Sequence, residues 1–173
     1  MGPHNKRVCK CSGVFTAMKK ESLPSGWQTL TGTVNETILV EWLPSGASIW
    51  RREIFNKFLF DDFFDGYSYL EDLDFSYSVA KEYKLAVLAD AKYCHYPSPF
   101  GRVDHYQFGK IETRNRIYLV RKHGLSLLRC YLGILIRFIM TIENGLRNGE
   151  HSHFKRAIGN CIGISGSILQ KPK

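Results

Sequence analysis

The chain has 173 residues, 44% of them hydrophobic and 13% aromatic, which is enough for one domain with a packed core or a large part of one. Its net charge of +8 is uneven: residues 41–100 carry 6 Lys+Arg against 10 Asp+Glu, a net of −4, and residues 101–173 carry 13 against 4, a net of +9. Five cysteines at irregular spacing argue against a disulfide framework, and a polar, basic first 20 residues argue against a secretory signal, so a reducing, cytoplasmic setting is expected.

Residues 1–40 lack periodicity and hold turn-forming clusters such as Leu23-Pro24-Ser25-Gly26 and Thr31-Gly32-Thr33, so loops are expected there. Residues 38–42 form a short β-prone run that Pro44-Ser45-Gly46 ends, and residues 50–58 read as a short helix. Residues 61–69 are an acidic, aromatic loop containing Gly66, and a helix is expected over 70–83. Residues 85–88 and 91–95 read as short strands around Ala89-Asp90, with Pro97-Ser98-Pro99 ending the unit.

Three helices are expected beyond this point. The first covers 106–122 and stops at Gly124. In the second, over 125–146, a wheel at about 100° per residue groups Lys122, Arg129 and Arg147 within about 20°. Leu127, Leu128, Tyr131, Ile134, Leu135, Phe138, Ile139 and Ile142 fill the opposite half. Arg129 and Arg137 would cost a few kcal/mol each at mid-bilayer, so the helix does not read as a span. Burial against the domain and lying flat in a membrane interface are both compatible with its pattern. The third helix, over 154–169, is apolar and rich in Gly, and a short basic end follows it.

The cluster Glu71-Asp72-Leu73-Asp74 opens a helix, where carboxylates are stabilised by the free N–H groups of the first turn. Plain helix capping is one reading of such a cluster. The flanking motifs raise a second. They are Val40-Glu41-Trp42-Leu43-Pro44-Ser45-Gly46-Ala47-Ser48, then Arg51-Arg52-Glu53-Ile54-Phe55, then the acidic cluster, then Ala91 to His95. This ordered set resembles family 2 glycosyltransferases of the inverting, GT-A type over about residues 20–123. The resemblance implies an α/β fold: a partial GT-A (Rossmann-like) domain with a short mixed sheet over residues 1–105. A basic amphipathic helical region over 106–173 would follow it.

Inverting transfer is one in-line displacement at the anomeric carbon, and a base must accept the proton of the attacking hydroxyl. By the family pattern that base is Asp72. Glu71, Trp42, Ser45, Gly46 and Tyr69 would bind the acceptor, and His95, 23 residues after Asp72, would ligate a divalent cation, Mg or Mn. A His at a strand end can also be a simple cap. Trp42, Trp50, Tyr67 and Tyr69 could stack on sugar rings or pack the core.

The family's Asp-x-Asp ligands have no counterpart before Glu71, and residues 1–40 contain no Asp. The donor-binding half is therefore expected to be missing, and the chain alone to be inactive or incomplete. Ser78 stands where the family commonly has Arg, and the Gln-x-x-Arg-Trp signature of polymerising members is absent. The expected partners are a nucleotide-sugar, a glycan or lipid-linked acceptor and an anionic membrane surface, with no nucleic acid. The expected place is the inner face of the cell membrane, peripherally, in envelope polysaccharide synthesis. The alternative is a non-enzymatic membrane-surface binding module.

Overall fold

The structure, a computed structural model, describes residues 24–29, 34–92 and 102–168. Its elements in chain order are β1 (Ile38–Val40), α1 (Glu71–Ala80), β2 (Leu85–Val87), α2 (His105–Lys122), α3 (Leu127–Asn148) and α4 (His151–Ile168). The fold is thus mostly helical, with one small sheet. β1 and β2 pair antiparallel, with Ile38 opposite Val87 and Val40 opposite Leu85.

Among the described residues no strand is parallel, so the expected mixed, Rossmann-like sheet is reduced here to one antiparallel pair. Residues 91–92 carry no strand, and residues 93–95 of the expected third strand lie outside the described residues. The helix expected at 50–58 is a short 3-10 segment, Arg52–Asn56, in which Ile54 is the one buried residue and Phe55 stacks on Phe75 (5.6 Å).

Two apolar clusters meet at α1. Leu73 joins Phe64, Leu70, Ile117, Leu119 and Ile134 in one, and Phe75 and Val79 join Ile54 and Leu85 in the other. The first cluster unites residues on both sides of position 105, so the helices beyond it share a core with the acidic loop. α2 runs through the centre, with Glu112, Thr113 and every residue from Asn115 to Val120 buried. Asp104 starts it by accepting from the Gln107 amide (3.0 Å), and Ser126 caps α3 by accepting from that of Arg129 (3.4 Å).

The glycines of α4 serve its packing against α2. A Cβ at Gly109 or Gly159 would collide with the carbonyl oxygens of Arg156 and Tyr106, so the two backbones approach as closely as helices can. The Glu112–Arg156 ion pair (2.8 Å) closes this interface.

Candidate functional site

The turn at 43–47 folds back onto the start of α1. The Ser45 amide donates to Asp72 Oδ2 (3.2 Å), and the Leu43 amide donates to Ser76 Oγ (3.1 Å). Ser76, fully buried one turn further along α1, donates from its hydroxyl to the Asp72 carbonyl (2.6 Å). Asp72 Oδ1 accepts from the Leu73 amide (2.8 Å). The carboxylate is therefore held by two backbone N–H groups and remains half-buried at the surface. Gly46 is exposed, and a Cβ there would meet nothing within 4 Å, so open space adjoins this arrangement.

Two residues before Asp72 the backbone is strained. Leu70 has φ 75, the left-handed region that a leucine enters at a cost of about 1–3 kcal/mol. Its side chain is buried in the first cluster, and the Asn115 amide group donates to the Tyr69 carbonyl (2.8 Å), so both sides of the strained residue are fixed. Arg114 Nε in turn donates to Asn115 Oδ1 (3.0 Å).

Arg116 secures the next layer. Fully buried, it donates to the Gly26 carbonyl, to Gln28 Oε1 (3.1 Å) and to the Tyr69 hydroxyl (3.4 Å). Its guanidinium lies 3.8 Å over the Trp27 ring, and burial pulls its pKa below the usual arginine value. Gly26 is needed here, since it has φ 70 and a Cβ would run into Val120.

The acidic cluster divides its labour. Asp74 points inward, where Lys122 (2.7 Å) and His123 Nε2 (2.9 Å) meet its two oxygens. Lys122 also binds Asp61 (2.6 Å), which accepts from the Tyr118 hydroxyl (2.8 Å) and the Phe63 amide (2.9 Å). Lys81 Nζ lies 3.1 Å from His123 Nδ1; as lysine only donates, this assigns the ring proton to Nε2. Burial alone would raise the Asp61 carboxyl, but the bonds from Lys122, Phe63 and Tyr118 hold it below the usual value. Burial opposes the Lys122 charge, and its two carboxylate partners outweigh that and raise its pKa.

The residues singled out from the sequence come together unevenly. Asp72 and Ser45 are bonded, Gly46 is beside Ser45, and half-buried Glu71 opens the same helix. Tyr69 packs in a T-shaped contact with Phe108 (5.1 Å) and its hydroxyl accepts from Arg116 (3.4 Å), so protein already engages part of the ring. Trp42 packs on the first cluster and donates from its indole to the Thr29 carbonyl (3.0 Å). Trp50 is a core residue, edge-on to Phe75 (5.0 Å). His95 lies outside the described residues.

Among the described residues no three His, Cys, Asp or Glu side chains converge to hold an ion, and each oxygen of Asp72 accepts one amide N–H. An open cavity of about 370 Å³ is lined by Glu41, Tyr77, Lys81 and Lys84, at the C-terminal end of α1 and away from Asp72. Leu70, Ser76, Asn115 and Arg116, which shape the site, escape sequence reasoning because each is an ordinary helix or loop residue until the fold pairs it. Comparison with protein-family models, with curated proteins and with solved structures finds no match.

Proposed function

We propose that this chain is the acceptor-side part of an inverting nucleotide-sugar glycosyltransferase, with Asp72 as the base. The observation that supports this most directly is the bond from the Ser45 amide to Asp72 Oδ2, which seats the small-residue turn on the acidic helix start beside open space. A carboxylate so held can accept the proton of a sugar hydroxyl as that oxygen attacks the anomeric carbon. Glu71, Ser45, Gly46 and the half-buried Trp42 and Tyr69 would then orient the acceptor. The partial GT-A domain is part of this reading, and so is a donor-binding half with its cation supplied from outside the described residues. The setting would be the inner face of the cell membrane, in assembly of an envelope glycan.

The purified chain is offered a panel of nucleotide-sugars and lipid-linked acceptors, alone and joined to a GT-A donor-binding half carrying Asp-x-Asp. Transfer should be negligible alone, appear on joining, and fall about 10²–10⁴-fold in Asp72→Asn. Strong metal-dependent transfer by the chain alone, or a fully active Asp72→Asn, would sink the reading. The second reading, a non-enzymatic module at a membrane surface, is favoured by the uncovered apolar face of α3 described next.

A further inference from the structure

α3 carries two faces, and only one is used. Cys130, Ile134, Thr141 and Gly145 are buried toward the domain. Opposite them, Leu128, Leu132, Leu135, Ile136, Ile139 and Leu146 form a stripe whose members range from 50% exposed at Ile136 to 80% at Leu128. From Leu128 to Leu146 the stripe runs about 27 Å at 1.5 Å per residue. Soluble monomers rarely leave so long an apolar strip uncovered. Arg129 and Arg147, both exposed, fall on one edge of it, near its two ends. Arg137 does not join them: it sits 5.3 Å over the Trp27 ring on the protein side. Glu143 lies within the stripe's sector, but its charge is met by Arg147 at 2.7 Å.

From this face we infer that α3 docks the chain onto an anionic lipid bilayer, lying flat with the stripe among the acyl chains and Arg129 and Arg147 at headgroup level. Charge selects this occupant. Exposed Arg129 and Arg147 outnumber Glu143 on the outward side of α3, within a region, residues 101–173, that carries 13 Lys+Arg against 4 Asp+Glu, and this excess attracts anionic lipid. Among the described residues no helix is long and apolar enough to cross a membrane, which fits an interfacial position for α3. The inference gives the proposed transferase its membrane contact, and it is tested without any donor or acceptor, so either can fail alone.

The full chain is sedimented with vesicles of phosphatidylcholine, alone or mixed with phosphatidylglycerol. Binding should require the anionic lipid and weaken as salt rises. Leu135→Asn/Ile139→Asn should weaken it by tenfold or more, since both side chains are outside the core. Arg129→Glu should weaken it on the order of tenfold. Circular dichroism confirms that each variant is folded. Any of three results overturns the inference: no binding at low salt, equal binding to neutral vesicles, or binding that folded Leu135→Asn/Ile139→Asn retains in full. So does self-association that the same double variant abolishes in a chain that ignores vesicles, because the face would then join two copies.

Discussion

Leu70 is a leucine in a conformation that suits glycine, one residue before the acidic cluster, and its burial maintains it there. Truncating it to Ala keeps the left-handed strain and removes core packing, which should destabilise by about 2–5 kcal/mol. Leu70→Gly also loses the packing but accepts φ 75 freely, so it should be the more stable of the two by roughly 1 kcal/mol. Urea unfolding of both variants checks this order, and the reverse order would mean that the strain at Leu70 is not stored in solution. Asn115→Ala removes the donor to the half-buried Tyr69 carbonyl and should cost about 1 kcal/mol. None of this was legible in the sequence. Asp72 could be singled out by its place in a motif, whereas the αL leucine and the asparagine on α2 become significant only when the fold brings residues 70 and 115 together.

The helices were legible as elements, because periodicity and caps are local: Asp104 and Ser126 stand where helix starts require them. What each helix face touches was not. Gly159 and Gly163 of α4, part of a run that reads in the sequence only as Gly-rich, serve as the contact surface with α2 in the fold. Gly159→Ala should therefore push α2 and α4 apart and destabilise by about 1–3 kcal/mol, whereas Gly166→Ala, where a Cβ meets nothing, should stabilise by up to about 1 kcal/mol. Equal thermal shifts for the two would contradict the close approach.

The bridge from α1 to α2 makes a second statement at this scale. Lys122→Met leaves Asp74, 2% exposed at its side chain, with His123 as its side-chain partner, and should cost about 1.5–3 kcal/mol. Asp61 has a folded pKa below 3.8, so its contribution is present above that value and is lost as pH falls through the folded value. Lys122 is raised above 10.5, so its contribution is present below that value and is lost as pH rises through the folded value. The difference in melting temperature between wild type and Asp61→Asn should stay level from about pH 4 to about pH 10 and shrink in acid. A difference that is unchanged well below pH 3.8 would show that the carboxylate charge is not what Asp61 contributes.

At the scale of the whole molecule, the acidic middle and the basic helical end belong to one core and present two different surfaces. One is the open patch at Asp72, Ser45 and Gly46, and the other is the outward stripe of α3. The wheel of α3 identified an apolar half, but only Leu128, Leu135 and Ile139 of it belong to the exposed stripe, which Leu132, Ile136 and Leu146 complete, because residues 24–29 and α4 take one side only after folding. The same separation divides the site: the order of the motifs showed that Ser45 and Asp72 belong together, and the inward role of Asp74 emerged only from its contact with Lys122.

The central claim is that Asp72 activates an acceptor hydroxyl. It is tested most directly in extracts of the source cells from which the chain has been deleted, where every other component of the reaction is still supplied. Purified wild-type chain should restore incorporation of labelled sugar into lipid-linked or polymeric product. Asp72→Asn, shown by circular dichroism to be folded, should restore less than about a hundredth of that rate. Restoration by Asp72→Asn at the wild-type rate, or undiminished incorporation in the extract that lacks the chain, would contradict the account.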